Sequence, residues 1–132
     1  MKRYMLDTNI VSHLVKGHSK VDQRILNEPM VALCLSVITE AELRYGLAKR
    51  PQAKRLHSVV GELLRRVDVL PWESACAQRY GVVRADNESR GKKLADLDLL
   101  IATHALESGT VLVTNDKAFQ YVDGLPTEDW TV

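Results

Sequence analysis

Four carboxylic acids, Asp7, Glu42, Asp98 and Asp116, each stand where a structural element of this chain is expected to end or begin. Asp7 closes the apolar run Tyr4-Met5-Leu6, and Asp116 follows Val111-Leu112-Val113-Thr114. Glu42 lies near the start of an expected helix, and Asp98 opens another. In an open α/β sheet the carboxyl ends of the strands and the helices beside them face one crevice, so acids remote in sequence can meet there. Acids gathered in this way are ligands for a hard divalent cation. Zinc chemistry has less support, because Cys34 and Cys76 lie 42 positions apart and His13, His18, His57 and His104 are scattered. The same scatter leaves Ser/His/Asp and Cys/His catalysis without a recognisable motif.

Each acid also has a plain structural role open to it. Asp7 can cap the helix that follows, and Glu42 can pair with Thr39 in a capping box. Asp96 is the natural cap of the next helix, with Asp98 in its first turn, where the helix dipole favours an acid. Thr114-Asn115-Asp116 reads most simply as a turn after a strand. Two observations favour the site. Glu42 borders the expected apolar stripe Ile38, Ala41, Tyr45 and Ala48 more closely than Glu40, which sits about 200° round the helix from it. Asp98 opens a segment, Asp98-Leu99-Leu100-Ile101-Ala102, too apolar to lie on the surface, and an acid at the mouth of a buried helix is costly unless paired or coordinated. Gly46, one turn beyond Glu42, removes side-chain bulk on the same face.

The elements that must position these residues alternate. Strands are expected at 3–7, 32–36, 67–70 and 111–114, with a short edge strand in the tail through Pro126 and Trp130. Helices are expected at 9–16, 20–28, 39–49 capped by Thr39, 52–66, 73–89 ending before Gly91, and 96–107 ending at Gly109. This alternation predicts an α/β fold with parallel pairing and right-handed crossovers. With 132 residues, 45% hydrophobic and 27% charged, the chain is expected to form a single domain over residues 1–132.

Met1-Lys2-Arg3 could begin a leader, but Asp7 interrupts the apolar run that follows, and no stretch approaches a membrane span. A cytoplasmic protein with no membrane association and with reduced, buried cysteines is expected. The net charge of +1 conceals an asymmetry, with residues 1–43 neutral, residues 44–93 at +7 and residues 94–132 at −6. The middle is a candidate phosphate-binding surface beside an acidic end able to hold metal, although solvated helix faces would give the same count.

At the level of motifs the chain resembles the PIN-domain ribonucleases of the VapC type, the toxin component of type II toxin–antitoxin pairs. The resemblance is carried by Met5-Leu6-Asp7-Thr8-Asn9, by Ser36-Val37-Ile38-Thr39-Glu40-Ala41-Glu42-Leu43-Arg44-Tyr45-Gly46, by Asp98-Leu99-Leu100-Ile101-Ala102 and by Thr114-Asn115-Asp116 with Phe119, spanning essentially the whole length. No single motif is specific; the four together are strong. The resemblance implies a PIN-like three-layer sandwich with a central, mostly parallel sheet flanked by helices. It implies an endoribonuclease in which Asp7, Glu42, Asp98 and Asp116 hold Mg²⁺ or Mn²⁺ and leave 5′-phosphate and 3′-hydroxyl products. Asp7 and Asp98 are the firmest ligands and Asp116 the least secure.

Around them, Thr8, Asn9, Thr114 and Asn115 are expected to orient carboxylates or water, and Arg44, Lys49, Arg50, Arg84, Lys92 and Lys93 to meet RNA phosphates. Structured RNA is the implied substrate, a tRNA cut in its anticodon loop ahead of ribosomal RNA or mRNA, with translation inhibited as a result. A homodimer and a VapB-like antitoxin lying across the acidic cleft are the implied partners, with Ile10, Val11, Leu14, Val15, Ile25 and Leu26 as surface for either unless they cover the sheet. Two other readings stay open. One is a phosphoryl-transfer domain with Asp7 as nucleophile, for which Asn9 stands where a second acid is usual. The other is a non-catalytic RNA- or protein-binding domain whose acids only cap helices.

Overall fold

The sheet is organised around its first strand. The computed structural model describes residues 2–132, so Met1 of the considered leader lies outside the described residues. Strands β1 (Tyr4–Leu6), β2 (Leu33–Ser36), β3 (Asp68–Leu70), β4 (Val111–Val113) and β5 (Thr127–Glu128) form one sheet in the order β3-β2-β1-β4-β5. Every pairing is parallel, a stricter arrangement than the mostly parallel sheet expected. The chain builds outward from β1 to β2 and β3, then crosses back to place β4 and β5 on the other side. The order therefore reverses between β1 and β4, and such a switch point opens a crevice at the strands' carboxyl ends.

Alternation along the strands divides the core between two helical layers. Tyr4, Leu6, Leu33, Leu35, Val111 and Val113 face one side, against Ile10 and Val11 of α1 (Thr8–Val15), Val21 and Ile25 of α2 (Ser19–Asn27) and Val60 and Leu63 of α4 (Lys54–Arg66). Met5, Cys34 and Leu112 face the other side, against Ile101, Ala102 and Ala105 of α6 (Asp96–Ser108) and Phe119. Helix α5 (Ser74–Ser89) packs outside α6. Met5, Leu6, Leu33, Leu35, Leu112 and Val113 are fully buried, each stabilising the fold by about 1.5–3 kcal/mol. Ile10, Val11 and Ile25 thus cover the sheet and are not open surface, while Leu26 is 80% exposed. Both cysteines are free and buried, and burial pushes the Cys34 thiol up to about 11.

Helix α3 (Val37–Lys49) departs from expectation in a way that bears on the site. Its cap is Ser36 and not Thr39: the chain passes directly from β2 into the helix, and Ser36 Oγ accepts from the Ile38 N–H at 3.0 Å. Ser36 Oγ also meets His104 Nδ1 at 2.7 Å, tying α6 to the end of β2. The buried face is carried by Thr39 and Leu43, and the expected stripe residues Ala41, Tyr45 and Ala48 are exposed. Asp96 likewise is not the cap of α6. Ala95 holds that position and no side chain caps it, so Asp96 and Asp98 both lie in the first turn. The other end of α6 stops at Gly109, whose φ of +67° is the left-handed conformation that glycine adopts without strain.

Candidate metal centre

Asp7 follows β1 directly, and its backbone N–H donates to Val113 O at 2.9 Å, locking the residue to the neighbouring strand at the switch point. The residue as a whole is 2% exposed. Oδ1 accepts from the Thr8 N–H at 2.8 Å and Oδ2 from the Thr114 hydroxyl at 2.9 Å. The capping role considered for Asp7 is therefore real, but it occupies only one oxygen. The Thr114 hydroxyl in turn accepts from the Asp116 N–H at 3.1 Å, so one threonine links the acid after β1 to the acid after β4. Asp116 Oδ1 accepts from the Ala118 N–H at 2.9 Å and leads the turn Lys117–Tyr121.

Glu42 and Glu40 part company in α3. Glu40 is drawn to Arg44 on the surface at 2.8 Å. Glu42 accepts from the Thr8 hydroxyl at 2.6 Å and so belongs to the Asp7 side, without the reciprocal capping bond to Thr39. A Cβ placed at Gly46 would meet no atom within 4 Å, so the face beyond Glu42 is open. Asp98 completes the group from the first turn of α6.

The electrostatics reveal the grouping. Burial first, then the charges of Asp98 and Glu42, push the Asp7 carboxyl from 3.8 up to about 6 against the opposing hydrogen bonds from Thr114 and Thr8. Burial also raises Asp98, with the Asp116 and Glu42 charges adding to it. Among the described residues, none of the four acids has a Lys or Arg ion-pair partner. The four nevertheless do not form a closed cage: among the described residues, no three His, Cys, Asp or Glu side chains converge closely enough to enclose a metal ion. Oxygen-only donors, uncompensated charge and an open face fit Mg²⁺, which retains several waters and takes only one or two carboxylates directly.

The surrounding polar residues separate into two groups. Thr8 and Thr114 bond to the acids as described. Asn9 is exposed, and Asn115 is drawn to His13 Nε2 at 3.2 Å. That contact brings His13, which sits edge-on to His18, to the rim of the crevice across 102 positions, and no local pattern in the sequence signals it. Arg44, Lys49, Arg50, Arg84, Lys92 and Lys93 are all exposed. Of the twelve cations between residues 44 and 93, six are held in ion pairs, Arg44, Arg65, Arg66, Arg79, Arg84 and Arg90. The charge left without a carboxylate concentrates at Lys49–Arg55 and at Lys92 and Lys93.

A family model described as the PIN domain matches residues 4–125. The chain is 35% identical over 132 residues to a tRNA(fMet)-specific endonuclease VapC of Shigella flexneri, covering 99% of this chain and 100% of that relative. It is 35% identical over 131 residues to a ribonuclease VapC2 of Haemophilus influenzae, covering 98% and 99%. Among solved structures, the DNA-bound VapBC of Salmonella typhimurium aligns with a TM-score of 0.88 at 34% identity, over 98% of this chain and 99% of that one. With the acids arrayed at the switch point of an all-parallel sheet and full-length similarity to these relatives, the chain belongs to the PIN-domain family, among the VapC ribonucleases.

Proposed function

We propose that the chain is the toxin of a type II toxin–antitoxin pair, a Mg²⁺- or Mn²⁺-dependent endoribonuclease that cuts structured RNA and thereby inhibits translation. The observation that carries this reading is the Asp7 carboxyl, raised to about 6 by burial and by neighbouring acids, with no cation of the protein beside it. A buried acid in such a field is stabilised by a bound divalent ion, and a capping role alone gives no reason for gathering three further acids around it. Asp7 and Asp98 would hold the ion directly, with Glu42 and Asp116 acting directly or through water. Bound there, the ion would supply an acidified water and neutralise charge on a phosphodiester.

The chain's own residues set the geometry. Thr114 and the Thr8 N–H fix the two oxygens of Asp7, and the Thr8 hydroxyl orients Glu42. The unpaired lysines and arginines from 44 to 93 position RNA by its phosphates, which sets register and not base identity. A tRNA, cut in its anticodon loop, is the substrate class favoured by the likeness to a tRNA(fMet)-specific relative. A VapB-like antitoxin is the proposed partner, supported by the likeness to solved VapBC assemblies. The exposed Leu26 of α2 and Val31 just after it offer apolar surface to it or to a second copy in a homodimer. Action in the cytoplasm, where translational RNA lies, is part of this proposal; separately, no described helix is long and apolar enough to cross a membrane.

The test is incubation of purified protein, freed of antitoxin, with total cellular RNA and Mg²⁺ or Mn²⁺, alongside Asp98→Asn, with sequencing of new 5′ ends. Discrete cuts that vanish with EDTA and in the variant are expected. A folded protein that makes no cuts under either metal refutes the proposal.

A further inference from the structure

We infer that a pocket at the amino end of α6 is a phosphate-binding subsite for the RNA backbone. This inference rests on the nuclease reading above. Arg84, Asn87 and Glu88 of α5, Lys92 and Lys93 of the following loop, and Asp96 of α6 line a concavity of about 140 Å³. Asn87 is 3% exposed. Its Oδ1 accepts from Arg90 Nη2 at 2.9 Å, which fixes which way the amide points. Its Nδ2 then has no acceptor among the described residues. A buried donor without a partner is rare in folded proteins and calls for a ligand or a bound water.

The rest of the pocket is suited to an anion. Helix α6 has no side-chain cap, and its first intrahelical bond is Leu99 N–H to Ala95 O at 3.0 Å, so the N–H groups of the turn before it lack helical partners. Glu88 is neutralised by Arg84 at 3.1 Å, which leaves Asp96 as the acid opposing the two lysines. Among the described residues Lys92 and Lys93 have no ion pair, and Lys92 stands 4.9 Å from the centre of the Tyr121 ring. The pocket and the acidic crevice share the first turn of α6 but lie on opposite sides of it. Asp96 lines one and Asp98 belongs to the other, two residues apart, with a rise of about 3 Å and a rotation of about 200° round the helix. A strand whose scissile phosphate meets Asp98 and whose backbone passes round the amino end of α6 places a flanking phosphate at this pocket.

Binding of a labelled RNA oligonucleotide, read by fluorescence anisotropy in EDTA across a salt series, tests the subsite without turnover. Asn87→Asp preserves the acceptor for Arg90 and replaces the free donor with negative charge; Lys92→Ala/Lys93→Ala removes the cations from the surface. Each is expected to weaken binding about tenfold at low salt, and the double variant to lower the logarithmic salt slope by about 0.7 for each phosphate no longer neutralised. In the unmutated protein, the Asn87 side-chain amide signal in NMR is expected to shift on adding RNA, a readout that does not depend on Asn87→Asp folding. Inorganic phosphate is expected to compete only weakly. Unchanged binding in both variants, weakening by the lysine variant alone, an unmoved amide signal, or a shift produced equally by inorganic phosphate overturns the subsite. A chain that cuts RNA yet gives any of these results refutes the subsite alone, and one that gives the expected losses but never cuts refutes the nuclease reading alone.

Discussion

Replacing Asp7 with Asn should make the metal-free protein more stable at neutral pH while abolishing cleavage. The folded carboxyl titrates at about 6 against an ordinary 3.8. Between those values the native state binds more protons than the unfolded state, so this group's contribution to stability falls as pH rises through the window. The difference corresponds to about 3 kcal/mol of destabilisation above pH 7. Asparagine removes that charge but keeps only one acceptor for the Thr8 N–H and Thr114 hydroxyl, costing roughly 1–2 kcal/mol. The net gain expected near pH 7.5 is about 1–2 kcal/mol. Near pH 4 the relief shrinks to roughly 0.5 kcal/mol, so the variant should become the less stable form. Urea unfolding in EDTA at the two pH values measures both. A stability difference of the same sign and size at both would refute the claim that burial and crowding of charge strain Asp7.

Adding Mg²⁺ or Mn²⁺ to the unmutated protein should raise its unfolding temperature, less so below pH 6 where Asp7 takes up a proton; an equal rise in Asp98→Asn would place the ion elsewhere. Thr114→Val keeps volume but removes a donor to Asp7, and should cost about 1–3 kcal/mol while slowing cleavage at unchanged RNA affinity, as thermal unfolding and single-turnover kinetics would reveal. Glu40→Ala loses only a surface pair with Arg44 worth about 0.3–0.5 kcal/mol and should cleave normally, whereas Glu42→Ala should lose cleavage; similar rates for the two would remove Glu42 from the site.

The acids were readable in the sequence because each stands next to a boundary that hydrophobic pattern marks well, such as Leu6 to Asp7 or Val113 to Asp116. Boundaries themselves were harder. Locating the cap of α3 at Ser36 requires knowing that β2 and α3 share no loop, and choosing the face of Thr39 and Leu43 over that of Ala41 and Tyr45 requires knowing what α3 packs against. Ile10, Val11 and Ile25 fit either a sheet cover or an interface, since both demand the same apolar face; only packing against Leu6 and Leu35 decides. The basic middle was overcounted from composition, although the spacings Glu40/Arg44, Glu62/Arg66, Arg84/Glu88 and Asp86/Arg90 already announced pairs within single helices. Asn87 and His13 gave no signal, since a polar residue in a helix looks alike whether it faces solvent, a pocket or a distant loop.

The central position of β1 has a consequence for how the chain is made. Its residues are synthesised well before β4, so one flank stays unpaired until Val111–Val113 have been made, and Asp7 awaits its hydroxyl donor from Thr114, 107 positions later. Everything from β1 through Asp116 must therefore be synthesised before the four acids can be held together. A chain stopped ahead of β4 carries Asp7, Glu42 and Asp98 but lacks the strand that positions the first of them against the last. If the proposed nuclease reading holds, a partial chain that ends before β4 would lack the fixed geometry of Asp7 and so the arrangement needed to cut RNA.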